Sequence, residues 1–507
     1  MGKLSRRDFL KLGGGALGAT LASKIISESA RANQTKKTPN IILLICDAMT
    51  ARNLSVYGYS RKTTPNLEKF AEQAFVYHNH YANGNFTTPG TSSLLTGLRP
   101  LTHRAVNHGA TIRKELAGHN VFSFLGNGYF KTAYTQNYWA NYLLAQFSSA
   151  IDDLLPVSEF SLLGERIINR HFKNDALVAD RAFEKMIYYG NSLLLSFIAN
   201  SYFQSQAKEI SLEKYPMGLP IQGYPQYPFT MEGLFEGIKN KIIELDALAR
   251  PFFSYFHVFP PHHPYRPQKD FAGMFDNDGY KPIEKRKHAL AHDVEQTSLN
   301  AERNNYDAFV ANLDSAIGRF MEALKERGIL DRAYFIIASD HGETFERGMH
   351  GHGSPLLYEP LVRIPLMIRA PGAQTRRDFL TPTNNIDLLP TILNIAGQKI
   401  PDSCEGAALP GFGGIEDAQR GVIVTQALES VAYKPFTKAT YAILRGKRKL
   451  IYYHGYPNKY QEYFEFYDLQ EDPEELNDKY SQPKFASIIS NLKAELFAAI
   501  DKANKKL

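Results

Sequence analysis

The chain has 507 residues, 44% of them apolar and 12% aromatic, which is the composition of a protein with a real core and excludes disordered, collagen-like and coiled-coil readings. Its net charge of +6 sits mostly at the start: six basic and two acidic side chains among residues 1–32 supply four of the six charges, so no long basic stripe is left to bind nucleic acid. The two cysteines, Cys46 and Cys404, stand far apart with no C-x-x-C, which excludes a disulfide framework or a cysteine zinc site and leaves only a single unsupported disulfide open.

Ser5-Arg6-Arg7-Asp8-Phe9-Leu10-Lys11 is a twin-arginine pattern. A mild apolar run over 12–26 and Ala30-Arg31-Ala32 follow, which is the order of a cleavable signal peptide read by the Tat export machinery. The expectation is a 1–32 signal and a mature chain in the periplasm or at the outer cell surface. Changing Arg6 and Arg7 to Lys should strand the precursor in the cytoplasm.

Residues 40–46 form a short continuous apolar run, the mark of a strand buried on both faces of a largely parallel sheet, and the run ends at Asp47. Thr64-Pro65-Asn66-Leu67 opens a helix over 64–74, with Thr64 as its capping residue. Thr87-Thr88-Pro89-Gly90-Thr91 puts hydroxyls just before a helix expected to start at Pro89. Such a helix end favours a tetrahedral anion, so a hydroxyl there is either a nucleophile or an ordinary N-cap.

Residues 140–250 are aromatic-rich and helical in pattern without motifs, and read as a cap over a substrate pocket. Within them, 187–203 contains Asn191, Ser192, Ser196, Asn200 and Ser201, which makes it a packed helix rather than a membrane span. A helix is expected over 306–327, ended by Gly328. The apolar run 333–339 repeats the grammar of 40–46 and ends at Asp340-His341-Gly342-Glu343. Two carboxylates thus stand at the carboxyl ends of two buried strands, where open α/β sheets place their sites. After about residue 410 come short strand-like runs at 421–425, 441–444 and 449–453, then a closing helix over 485–503.

The order of motifs resembles the sulfatase family of the alkaline phosphatase superfamily. The residues that carry the likeness are Pro39-Asn40-Ile41 to Asp47, Tyr57-Gly58-Tyr59 and Thr64-Pro65-Asn66-Leu67. The run from Thr87 to Gly97 is similar to the nucleophile segment C-x-P-S-R-x-x-L-L-T-G at Pro89, Leu94, Leu95, Thr96 and Gly97. Pro261-His262-His263-Pro264-Tyr265, Ser339-Asp340-His341-Gly342-Glu343, Leu357-Tyr358-Glu359, Arg363-Ile364-Pro365-Leu366, Asp387-Leu388-Leu389-Pro390-Thr391 and Tyr467-Asp468-Leu469 continue it over nearly all of residues 38–480. The resemblance implies an alkaline phosphatase-like fold, a large mixed and mostly parallel sheet flanked by helices. It also implies a catalytic domain over 38–410 and a small α+β subdomain over 411–507.

The departure is at the key position. Sulfatases carry Cys or Ser there and oxidise it to formylglycine, whereas this chain has Thr87, with Gly90 and Thr91 in place of the Ser-Arg pair. Oxidised threonine is a ketone, so formylglycine is not expected; phosphoethanolamine and phosphoglycerol transferases of the superfamily use a threonine nucleophile. By position, Asp47, Thr87, Asp340 and His341 would bind one divalent metal ion, Mn²⁺ or Zn²⁺ before Mg²⁺ or Ca²⁺ because of the imidazole. Ala48 stands where true sulfatases often have a second Asp.

Thr87, His262, His350 and His352 are the catalytic candidates, the histidines to steady the anion, move a proton or bind a second ion. His257, His263, His103 and His108 are expected behind the site or at the surface, and Glu343 either orients His341 or faces solvent. The implied activity is metal-dependent hydrolysis or transfer of an anionic phosphate ester, on a lipid- or glycan-linked group among others. The alternatives are a sulfuric ester hydrolase without formylglycine and an inactive anion- or glycan-binding protein.

Overall fold

The computed structural model describes residues 38–162, 205, 207–222, 227–429 and 432–507. The 1–32 signal and the 187–203 run lie outside these residues. Eight strands form the main sheet: β1 (Asn40–Cys46), β2 (Phe75–Tyr77), β3 (Phe130–Thr135), β4 (Asp153–Leu154), β5 (Phe252–Val258), β6 (Ala333–Ala338), β7 (Leu366–Arg369) and β8 (Arg377–Phe379). Their spatial order is β8-β2-β7-β6-β1-β5-β3-β4, and β7 alone runs against the rest. The expected large, mostly parallel mixed sheet is therefore present.

All of β1 is buried because helices cover both faces. Ile42, Leu44 and Cys46 enter one core, and Ile41, Leu43 and Ile45 enter the other. The first core is closed by α1 (Pro65–Ala71), α4 (Met231–Asp246) and α5 (Gln296–Glu326), and the second by α2 (Thr87–Thr96), α3 (Tyr138–Gln146) and α6 (Leu388–Ile395). Truncating a side chain such as Leu43 to Ala would cost about 2–5 kcal/mol, lost transfer energy plus a cavity.

A second, antiparallel sheet takes its strands in chain order: β9 (Gly421–Ala427), β10 (Ala439–Arg445), β11 (Arg448–His454) and β12 (Glu462–Asp468). Helix α7 (Ala486–Asn504) covers one face through Ile489, Leu492 and Leu496. The other face packs on Leu357, Tyr358 and Leu361, which joins it to the main body.

Several elements differ from expectation. Helix α2 begins at Thr87 with Phe86 as its N-cap, not at Pro89. Proline is harmless there because the first N–H groups of a helix have no intrahelical acceptor. Helix α5 starts ten residues earlier than its apolar spacing implies; that added stretch buries only Leu299, so periodicity is silent over it. Thr64 makes no side-chain cap to α1. Asp314 of α5 does so instead, accepting from the Asn66 and Leu67 backbone N–H at 2.9 and 2.8 Å. Of the segment read as a cap, α3, β4 and α4 are built into the main body, while 163–204 and 223–226 lie outside the described residues.

Candidate active site

Three neighbouring strands deliver their polar residues to one end of the sheet. Ile45 of β1 pairs with His257 of β5 on one side and with Ala338 of β6 on the other, so Asp47, His257, Asp340 and His341 emerge together. The chain end of β1 is fixed by a 3.0 Å bond from Asp47 N–H to the Val258 carbonyl. Helix α2 then brings Thr87 in by its first residue. Gly90 permits this approach, since a Cβ there would stand 2.2 Å from the Asp340 carbonyl oxygen. Gly342 serves likewise: its Cβ would meet the Pro360 carbonyl at 2.1 Å.

Asp47, Thr87, Asp340 and His341 are all buried. His341 Nε2 stands 3.3 Å from Asp47 Oδ1, 3.6 Å from Asp340 Oδ2 and 3.4 Å from Thr87 Oγ1. Its Nδ1 is tied to the Gly342 carbonyl at 2.9 Å, which turns Nε2 inward. Asp340 Oδ1 accepts from the backbone N–H of His341 and Ala48, at 3.0 and 3.3 Å. Ala48 adopts a left-handed φ of 58°, a strained choice for alanine, and the Tyr306 hydroxyl holds it by donating to its carbonyl at 2.9 Å. Two carboxylate oxygens, Asp47 Oδ1 and Asp340 Oδ2, are buried with no hydrogen-bond partner.

The electrostatics follow from this crowding. Burial alone would raise the Asp47 carboxyl, but His262, His257 and His341 hold it well below the usual carboxylate range. Burial and the Asp47 charge push Asp340 up. Burial would lower His341, yet Asp340 and Asp47 outweigh it and raise it to about 9. Two carboxylates, an imidazole and a hydroxyl converging around unpartnered buried oxygens fit a divalent metal ion.

The histidine candidates separate. His352 lies beside the cluster, its ring 4.3 Å from that of His341 and 4.7 Å from that of His262. Its Nδ1 is bound to Glu343 Oε1 at 3.0 Å, so Glu343 is buried and orients His352, neither orienting His341 nor facing solvent. His262 Nδ1 is bound to the His263 carbonyl at 2.6 Å. Burial lowers His262 to about 4 and His352 well below its usual value, the latter with help from His341, so both imidazoles are neutral at neutral pH. His350 instead bonds the Tyr265 hydroxyl at 3.1 Å and packs by His263. His103 is a core residue bonded to Ser93 Oγ, and His108 packs between Phe86 and Trp139.

Asn137 was not among the sequence candidates, and His257, expected behind the site or at the surface, stands directly behind its carboxylates. Asn137 Nδ2 donates to Asp47 Oδ2 at 2.6 Å and to Thr87 Oγ1 at 3.0 Å. His257 is wholly buried with its Nε2 facing both carboxylates. The signal that could have found them is the one that found Asp47: a polar side chain at or just past the end of a buried strand. Asn137 follows β3 in that way, and His257 interrupts the apolar β5 one residue before its end.

Similarity to known proteins makes the chain an ester-hydrolysing enzyme of the alkaline phosphatase superfamily. A family model described as sulfatase matches residues 39–398, and one described as N-sulphoglucosamine sulphohydrolase, C-terminal, matches 348–502. The chain belongs to the sulfatase family. It is 23% identical to an arylsulfatase of Clostridium perfringens over 91% of this chain and 94% of that one, and 22% identical to a choline-sulfatase of Rhizobium meliloti over 89% and 84%. Its fold is similar to the crystal structure of a phosphonate monoester hydrolase of Agrobacterium radiobacter, with a TM-score of 0.66 at 19% identity, covering 92% of this chain and 96% of that one. Among the described residues no helix is long and apolar enough to cross a membrane.

Proposed function

We propose that this protein cleaves phosphate mono- or diesters through Thr87, with water or an alcohol as the final acceptor. The observation that carries the reading is the hydroxyl itself. Thr87 Oγ1 stands at the first residue of α2, within 3.4 Å of His341 Nε2 and bonded by Asn137, in the position where sulfatases build an aldehyde that threonine cannot give. The fold is one that also serves a phosphonate monoester hydrolase, so the scaffold accepts a phosphorus centre.

Asp47, Thr87, Asp340 and His341 would hold one divalent cation, which when bound lowers the pKa of the Thr87 hydroxyl and draws charge from the transferring group. Thr87 Oγ1 attacks in line, forming a Thr–O–P ester as the bond to the leaving oxygen breaks. The Asn137 amide steadies the attacking oxygen. His352 and His262 present Nε2 as neutral bases: either takes the proton released by Thr87 and passes it to the leaving oxygen. The same group then takes a proton from the incoming water or alcohol, whose oxygen displaces Thr87 Oγ1 in a second in-line step, and returns that proton to Thr87 Oγ1 so that the hydroxyl and the neutral imidazole are restored. Glu343 supports His352 by holding its Nδ1.

A sulfate ester is the second reading, favoured by the arylsulfatase and choline-sulfatase relatives. A panel of nitrophenyl phosphate, bis-nitrophenyl phosphate, phenylphosphonate and nitrophenyl sulfate separates the two. We expect the highest kcat/KM on a phosphorus ester; a sulfate preferred by an order of magnitude or more would transfer the proposal to sulfur.

A further inference from the structure

We propose that Trp139, with His108 and Tyr142 beside it, seats a ring carried by the alcohol side of the ester, so that the enzyme selects ring-bearing alcohols over acyclic ones. The inference rests on the ester-cleaving reading above and deepens it to the group that is released.

The aromatic side chains form one row that begins at the nucleophile. Phe86 is the N-cap of α2 and the neighbour of Thr87, and the backbone N–H of Gly353, just past His352, donates to the Asn85 carbonyl beside it at 3.0 Å. From ring centroid to ring centroid the row runs 5.0 Å from Phe86 to His108, 5.8 Å on to Trp139 and 6.3 Å on to Tyr142. Phe86 is 1% exposed and Trp139 half-buried, whereas His108 is exposed and Tyr142 is 42% exposed. The row therefore leads from the nucleophile to the surface. Trp139 is tied to the site a second time, because its backbone N–H donates to Asn137, whose amide reaches Thr87 Oγ1. His352, lowered first by burial and by His341, is lowered further by a charge on His108, so the row also lies beside that base.

Core packing does not account for these rings. Neither Trp139 nor Tyr142 joins a hydrophobic core of the molecule. Apolar faces left towards water beside a reacting group mark a place where a ligand recovers the cost of exposing them. Trp139 is nonetheless held in place. Gly109 has a left-handed φ of 71°, and a Cβ there would stand 2.9 Å from the indole, so the loop that carries His108 closes directly on it. The Trp139 and Tyr142 rings lie within 19° of parallel, and the Tyr142 hydroxyl bonds that of Tyr138 at 3.0 Å. Aromatic faces with hydroxyls at their edge take the face of an aryl or a sugar ring, which an acyclic alcohol cannot match.

Trp139 is the one tryptophan in the chain, so its emission reports on this seat without labelling. The test is titration of Thr87→Ala with phenyl phosphate, a glucose phosphate and acyclic glycerol phosphate, followed by tryptophan emission and by calorimetry. We expect a ring ester to bind about tenfold more tightly than glycerol phosphate and to change the emission, which glycerol phosphate leaves unaltered. A response to phenyl phosphate alone identifies an aryl alcohol, and one to the glucose phosphate alone a sugar. With Thr87 in place, Trp139→Ala should lower the ratio of kcat/KM on the responding ring ester to that on glycerol phosphate about tenfold, chiefly through KM, and Trp139→Phe should restore most of it. Equal affinity for all three esters with unaltered emission, or an unchanged ratio in Trp139→Ala, would overturn the assignment. The matching sulfates keep its failure apart from that of the phosphorus reading: emission that answers phenyl sulfate and not phenyl phosphate retains the seat and moves the ester to sulfur.

Discussion

Asn137 does two jobs with one side chain. Its Oδ1 caps α3 by accepting from the Trp139 and Ala140 backbone N–H, at 2.9 and 3.4 Å, and this fixes which end of the amide faces the site. Nδ2 is then left to donate to Asp47 and Thr87. Asn137→Ala should cost about 1 kcal/mol for the lost cap and about 10²–10³ in kcat for the lost donor. Asn137→Ser keeps an oxygen for the cap but has no amide to reach Asp47 and Thr87, so it should recover most of the lost stability and not turnover. Urea denaturation and steady-state rates on the two variants check this; equal recovery of both properties in Asn137→Ser would contradict the donor role. Such a residue is hard to read in a sequence because a lone Asn before a helix is nearly always only a cap. Thr87 was legible for the opposite reason: it falls inside a long motif whose other positions match.

Helix α2 is buried along its whole length although its sequence is mostly small and hydroxylic, which no hydrophobic period would reveal. His103 helps to hold it. The ring bonds Ser93 Oγ at 3.1 Å through Nε2, and Nδ1 accepts from the Ala105 backbone N–H at 3.0 Å, so this histidine must be neutral in the fold. Burial and the neighbouring Arg104 push it down to about 3. The unfolded chain, with an ordinary histidine near 6.5, binds the proton first as pH falls. His103 therefore contributes fully above pH 6.5, and its contribution is lost as pH drops from 6.5 towards 3, by about 1.4 kcal/mol per pH unit. His103→Gln should be less stable at pH 7 and show a slope between pH 6.5 and 4 shallower by that amount. Denaturant midpoints at four pH values measure it, and an unchanged slope would contradict the neutral assignment. Strands β1 and β6 were legible because a buried parallel strand writes a continuous apolar run, here ending in a carboxylate. Strand β12 was not, because its Glu465 looks like a surface charge. That glutamate is buried and accepts from the hydroxyls of Tyr358 and Tyr453 at 2.8 and 3.2 Å.

Across the whole molecule, the second sheet is fastened to the catalytic body by a buried ion cluster. Lys449 of β11, wholly buried, lies 3.1 Å from Glu359 and 2.8 Å from Glu475, both of them buried too. Glu359 belongs to the segment that supports Gly342 and the His341 strand end, since the Gly342 N–H bonds the Leu361 carbonyl at 2.9 Å. Lys449→Met strands two carboxylates in the interior and should cost about 3–5 kcal/mol. Adding Glu359→Gln and Glu475→Gln should recover most of it, and failure to recover would mean that the cost lies in packing. The motif order made the global fold legible, whereas this fastening was not, because its three charges are scattered over more than a hundred residues of chain.

A covalent ester on Thr87 during turnover is the step on which the proposed chemistry depends. Intact-mass and peptide-level mass spectrometry of the enzyme quenched within its first turnovers of an aryl phosphodiester, for the wild type and for Thr87→Ala, tests it directly. We expect a phosphoryl-ester mass increment on the peptide that holds Thr87, absent from Thr87→Ala together with its turnover. An unmodified wild type alongside a Thr87→Ala variant that turns over at the wild-type rate would contradict it.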